Sequence, residues 1–147
     1  MFRGRFEHTV DGKGRIALPA AVRRALSEDE TLVITTHVSA PCLVAHPLRD
    51  WAEFESRLAQ RPQFDPGVMM LRRLYVGSAM DCPIDRQGRV LLPAVLRDYA
   101  GIQREAYWVG AIRSLELWNP ENWAQHVEAA RQSISTDLLQ KLSELGI

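Results

Sequence analysis

Arg15 and Arg89 each stand four residues after an aspartate, Asp11 and Asp85, and directly after a glycine, Gly14 and Gly88. Around them the chain reads VDGKGRIALPAAVRR from Val10 to Arg24 and IDRQGRVLLPAVLRD from Ile84 to Asp98, at a constant offset of 74 residues. Two chemistries could use this pattern. A duplicated fold could bring Asp11 and Asp85 together as a proton-sharing acid pair. Their surroundings, GKGR and RQGR, are wet and basic, and no triad, phosphate loop or HExxH helix accompanies them. His8, His37, His46 and His126 are scattered. Catalysis is therefore not expected. The other chemistry belongs to arginine, whose planar fork matches phosphate and guanine. Asp, Gly, Leu and Pro explain a turn and a helix start, but a turn does not require Arg at its end, and both copies have one. An arginine closing a rigid hairpin can be aimed into a groove of double-stranded DNA. Arg23, Arg24 and Arg97 would then grip phosphate, with Lys13 and Arg86 in the turns.

These residues must be positioned by a strand, a tight turn, a second strand and a helix. Phe6 to Val10 alternates large and polar residues as a half-buried strand does. Asp11 to Gly14 is turn chemistry, and RIAL continues as a strand. Pro19 is expected at the first helical position, with Val22 and Leu26 one turn apart. The second copy repeats the unit, with Pro93 opening its helix and Gly101 closing it. Downstream, TLVIT answers AYWVG, and CLVAHPLRDWAEF answers SLELWNPENWAQH. Asp65-Pro66 and Asn119-Pro120 are cap and first-residue pairs, opening GVMMLRRLYVG and a second helix. STDLLQKLSEL ends the chain as a further helix. The spacing divides the chain into residues 1–76 and 77–147. A unit of about 70 residues is marginal alone, so the two are expected to share a core.

Formal net charge is zero, so bulk electrostatics name no partner. Residues 1–24, however, carry Arg3, Arg5, Lys13, Arg15, Arg23 and Arg24 against Glu7 and Asp11, a local excess of +4 that points to an anionic partner. The longest stretch free of charged residues, Thr31 to Leu48, is broken by Pro41 and Pro47 and reads as two strands around a turn, not as a membrane span. Arg3, Arg5 and Glu7 occupy the place of a signal peptide's apolar core, which leads us to expect a cytoplasmic protein. Cys42 and Cys82 match no metal spacing and are expected reduced and buried. No metal, cofactor or membrane partner is expected.

The opening MFRGRFEHTVDGKGRIALPAAVRR resembles the N-terminus of MraZ-type bacterial transcriptional regulators. The repeated hairpin resembles the AbrB/SpoVT-type DNA-binding element. The resemblance implies an α+β fold in which two tandem AbrB/SpoVT-like β units form a pseudo-two-fold, barrel-like core with helical tails. It implies a repressor, associated with the nucleoid, that assembles as a ring. That ring would bind short direct repeats upstream of a cell-division and cell-wall gene cluster that includes its own gene. The family's Asp-x-x-x-Arg motif maps onto Asp11 with Arg15 and Asp85 with Arg89, and its helix arginines onto Arg23, Arg24 and Arg97. The copies differ: Asp98 stands where a second helix arginine would be, and Gln87 where the first copy has Lys13. They are expected to contribute unequally, with weak binding per protomer summed across the ring. The apolar stripes Val68, Leu71, Leu74, Tyr75 and Leu138, Leu139, Leu142, Leu145 exceed the needs of one small core and fit a closed oligomer larger than a dimer. A non-catalytic scaffold or peptide-binding module with an AbrB-like barrel is the alternative.

Overall fold

The computed structural model describes residues 1–27 and 30–147. The first segment contributes strands β1 (Arg5–Thr9), β2 (Arg15–Ala17), β3 (Thr31–Thr36) and β4 (Leu43–Pro47), and helices α1 (Ala20–Ala25), α2 (Leu48–Ala59) and α3 (Pro66–Leu71). A π-helical turn, Arg72–Val76, follows α3. The second contributes β5 (Met80–Pro83), β6 (Arg89–Leu91), β7 (Glu105–Ala111) and β8 (Ser114–Trp118), with α4 (Ala94–Ala100), α5 (Pro120–Gln132) and α6 (Thr136–Glu144).

Local chemistry sets the boundaries. Asp65 and Asn119 accept hydrogen bonds from backbone N–H groups of the helices they open, and Pro66 and Pro120 follow at the first helical position. Gly101 ends α4 with φ at 64°, a conformation favoured by glycine. Pro19 and Pro93 depart from expectation by one residue: each is the cap, not the first helical residue. The reason is that Leu18 and Leu92 still donate across the chain, to the carbonyls of Gly88 and Gly14, both at 2.9 Å. The proline then makes the corner, and its carbonyl accepts the first helical bonds. GVMMLRRLYVG, expected as one helix, splits into α3 and the π turn. Thr35 Oγ1 donates to the Tyr75 carbonyl at 2.5 Å and Thr36 Oγ1 to that of Leu74 at 3.1 Å, fastening the turn to β3.

The strands form two antiparallel groups. Six make an open sheet in the order β1-β7-β8-β4-β3-β5, and two make a ribbon, β2-β6. The two segments interlock: β1 pairs with β7, β5 with β3, β4 with β8 and β2 with β6. The 74-residue offset carries over into the pairing register, since Phe6 faces Trp108 and Met80 faces Ile34. These pairings do not by themselves establish the barrel-like closure implied by the resemblance, although Val10 is bridged to Ile16 between β1 and the ribbon. β1 and β5 are the edges of an open sheet, and the ribbon lies over it as a separate layer.

The core sits between those layers. Ile16 and Val90 of the ribbon, Leu18 and Leu92 behind it, and Val22 and Leu96 of α1 and α4 meet Leu32, Ile34, Leu43, Trp108, Leu115 and Leu117 of the sheet. The buried Trp108 indole donates to the Ala17 carbonyl at 3.0 Å, so its one polar atom is satisfied by the ribbon. On the other face of the sheet Trp51, Phe54, Tyr75 and His46 cluster around α2 and the π turn. Cys42 and Cys82 are free and buried, as expected, and burial holds both thiols protonated, Cys82 with a pKa pushed up to about 11. No described helix is long and apolar enough to cross a membrane.

Candidate nucleic-acid interface

Each hairpin is closed by its aspartate. Asp11 Oδ1 accepts from the backbone N–H of Lys13 and of Arg15, both at 2.9 Å, and Oδ2 accepts from Arg15 Nε at 2.7 Å. Asp85 repeats this with Gln87 N–H and Arg89 N–H at 2.9 Å and Arg89 Nε at 3.0 Å. The backbone bond from Arg15, with its guanidinium and the Lys13 N–H adding, pulls the Asp11 carboxyl down to about 2. The equivalent bond from Arg89 lowers Asp85. Both carboxylates are thus charged at neutral pH, and each orients its arginine through Nε. The sequence left Arg15 and Arg89 without a structural partner. The geometry supplies one, which fixes the angle of the guanidinium while leaving its outer edge available.

Pairing of β2 with β6 brings the two arginines onto one surface. Arg15 is opposite Leu91 and Arg89 opposite Ala17, with Ile16 and Val90 buried between them. Side chains alternate across a strand, so Arg15, Ala17, Arg89 and Leu91 share the outer face. The arginine side chains are 32% and 28% exposed, enough to meet a ligand, and Arg89 Nη1 lies 3.9 Å from Asp11 Oδ2, linking the two hairpins. Leu91, 57% exposed between these charges, was not among the residues singled out from sequence. The signal was present in the period-two step from Arg89 to Leu91, but only the ribbon pairing makes that face an outer one.

The helix arginines fall into two environments. Arg23 of α1 lies against Gly88, and Arg97 of α4 against Gly14, each on the turn of the other segment. Arg97 also donates from Nε to the Leu92 carbonyl at 3.3 Å. Both glycines are buried, and their φ values, 89° at Gly14 and 75° at Gly88, already favour glycine. Arg24 instead lines an open groove of about 600 Å³ between α1 and the second hairpin, together with Arg23, Arg86, Ser27 and Asp85. Lys13 is exposed on the first turn. Arg3 and Arg5 are not brought to this surface. They lie at the far end of β1, roughly 20 Å from the turn at about 3.4 Å per residue, and the Arg5 guanidinium sits 4.9 Å from the centre of the Tyr107 ring.

A sequence model of one protein family, described as "MraZ protein, putative antitoxin-like", matches residues 1–74 and again residues 76–143. The chain belongs to the MraZ family. Its relatives are similar from end to end. A protein of Caldicellulosiruptor saccharolyticus is 36% identical over 148 residues, covering all of both chains. One of Klebsiella pneumoniae is 36% identical over 152 residues, again covering both. One of Idiomarina loihiensis is 40% identical over 129 residues, covering 86% of this chain and 85% of its own. Each of the three is named transcriptional regulator MraZ. The double match divides this MraZ-family chain close to the point where its strand–turn–strand–helix unit begins again.

Proposed function

We propose that this chain is a non-enzymatic, sequence-specific DNA-binding transcriptional regulator. It acts in the cytoplasm on nucleoid DNA, as a repressor of the cell-division and cell-wall gene cluster that contains its own gene. The observation that carries this reading is the outer face of the β2–β6 ribbon, where two aspartate-locked arginines flank Leu91 and Ala17. The major groove of B-DNA admits a two-stranded ribbon. There an arginine fork matches O6 and N7 of guanine, and an exposed apolar group fits the thymine methyl. Arg24, Arg86 and Lys13, beside the ribbon, supply phosphate contacts, and Arg23 and Arg97 steady the turns. Arg3 and Arg5 would reach DNA only outside this cluster. The names of the full-length relatives support the regulatory role.

The finer architecture follows on the same terms. Residues 1–76 and 77–147 are read as AbrB/SpoVT-like repeats about a pseudo-two-fold axis, a reading supported by the matched registers of β1–β7 and β3–β5. The repeats are unequal, +3 over Asp11–Arg24 against +1 over Asp85–Asp98, which gives the ribbon face a direction. Directional faces arrayed in a ring suit direct repeats of a short site. The test is binding of the full chain to a duplex from upstream of its own gene, against a scrambled duplex, over a salt series. Specific retention that weakens steeply with salt is expected. Equal binding to both duplexes, or none at low salt, would overturn the reading and favour a scaffold or peptide-binding role.

A further inference from the structure

The groove of about 600 Å³ between α1 and the second hairpin has a charged wall and an apolar floor. Arg23, Arg24 and Arg86 line it against Asp85, three cations to one carboxylate. That carboxylate is already engaged on its own hairpin, where it accepts from Gln87 N–H, Arg89 N–H and Arg89 Nε. Leu26 and Ile84 make the floor. Each is half-buried, packed on the core from one side and lining the groove from the other. Ser27, exposed at the edge, adds a hydroxyl.

The matching place, between α4 and the first hairpin, is composed differently. At the offset of 74, Arg97 and Asp11 answer Arg23 and Asp85, but Asp98 stands for Arg24 and Gly12 for Arg86. One cation then faces two carboxylates. The floor changes as well. Ala100 and Val10, the counterparts of Leu26 and Ile84, are buried at 0% and 3% exposure and offer no apolar surface. The strand–turn–strand–helix frame therefore does not require a basic groove with an apolar floor; only α1 with the second hairpin combines the two. Duplex DNA does not account for that floor. Its phosphates can meet Arg24 and Arg86, but its bases are stacked inside the helix and present only their edges.

We propose that this groove binds a nucleoside polyphosphate, with its phosphates on Arg24 and Arg86 and its base on Leu26 and Ile84. The Ser27 hydroxyl donates to the phosphates, and Arg23 adds charge to the wall. Guanidinium forks match phosphate oxygens, and their charge strengthens each bond. The volume lies within the roughly 300–1,000 Å³ of sites that enclose small ligands. A free nucleotide carries both a polyphosphate and an uncovered ring, whereas an inorganic phosphate carries only the first. Resting on the DNA reading above, the site is also regulatory. Arg24 and Arg86 cannot hold the nucleotide and a DNA phosphate at once, so the nucleotide releases DNA.

The experiment is calorimetric titration of the full-length protein, without divalent metal, with ATP and with GTP. Sodium tripolyphosphate and adenosine are titrated beside them at matched ionic strength. At least one nucleotide is expected to bind saturably and more tightly than either half. Arg24→Ala and Arg86→Ala should each weaken it by about tenfold or more, the worth of one charge-assisted contact, with the thermal melt unchanged. The same nucleotide should displace a specific duplex in an anisotropy assay, and tripolyphosphate at equal ionic strength should do so less. No saturable binding by either nucleotide overturns the proposal, whether or not the protein binds DNA. Equal affinity for tripolyphosphate leaves an adventitious anion site only and overturns it too. Nucleotide binding unaffected in both variants places the ligand elsewhere and overturns it. Nucleotide binding that leaves a specific duplex in place overturns the regulatory role. Nucleotide binding weakened by Arg24→Ala, in a protein that retains no duplex, upholds the site and overturns the DNA reading instead.

Discussion

The guanidinium of Arg97 lies across Gly14, on the turn of the other segment, close enough that a carbon added to that glycine would stand 3.1 Å from it. Arg23 covers Gly88 still more closely. Each hairpin is thus pinned by a helix of the opposite segment, and both segments must fold for either turn to be held. Gly14→Ala is expected to cost about 1–2 kcal/mol, the usual penalty of a side chain in left-handed backbone. Gly88→Ala should cost more, because Arg23 must also move. Urea unfolding of the two variants checks the order. Equal costs would show that the backbone conformation alone accounts for both.

Arg15→Ala is expected to lower affinity for a specific duplex by about 1–3 kcal/mol, the worth of one bidentate base contact. The effect on stability should be much smaller, since the Asp11–Arg15 pair is exposed and screened by water. Arg15→Lys separates charge from shape. It keeps the cation but not the planar fork, so it should preserve the salt dependence of binding while losing specificity. Fluorescence anisotropy with specific and scrambled duplexes, beside a thermal melt of each protein, reads both properties. A large fall in melting temperature with unchanged binding of the remaining folded protein would reassign Arg15 to structure alone.

Arg24 lines the groove beside Arg86, whereas Arg23 and Arg97 lie across the turn glycines, so Arg24 is the helix arginine best placed to neutralise phosphate. Arg24→Ala should weaken binding and flatten the log–log salt slope by roughly one unit. Asp98→Arg places a cation at the matching position of α4 and should raise both quantities if the two faces dock alike. Affinity measured across one salt series for all three proteins decides this. An unchanged slope in Arg24→Ala would remove it from the phosphate contacts.

The stability of the fold carries two acid limbs. Burial lowers the pKa of His46, which shares a 2.6 Å hydrogen bond with the Tyr75 hydroxyl, although Asp50 opposes the shift. The unfolded chain then binds a proton near 6.5 that the folded chain does not. Stability is full above that pH and falls below it. The lowered Asp11 and Asp85 act with the same sign at lower pH: their contribution is present above about 3.8 and is lost as pH falls through their lowered folded values, about 2 for Asp11. Melting temperature followed from pH 8 to pH 2 should show both limbs. His46→Gln should flatten the first, and Asp11→Asn should shrink the second. A first limb unchanged in His46→Gln would assign it to another group.

Much of this protein is legible in its sequence because the information is local. The Asp-x-x-Gly-Arg turns, the caps at Asp65 and Asn119, the stop at Gly101 and the alternation of β1 depend on residues within four positions of one another. The 74-residue repeat also announces itself, since a duplicated motif needs no contact to be seen. What the tertiary structure decided are the relations across the offset. Pro19 and Pro93 became caps because Leu18 and Leu92 donate to glycines of the other segment. Leu91 became part of the candidate face because β6 pairs with β2. Arg23 and Arg97 became clamps and Arg24 did not, because the helices cross onto opposite turns. Arg3 and Arg5, counted in the same basic cluster by sequence, lie a strand's length away. Proximity along the chain dictates hairpins and caps, but an interlocked sheet assigns partners about 70 residues apart, and only packing the shared core of Ile16, Val90 and Trp108 selects which surfaces face outward together.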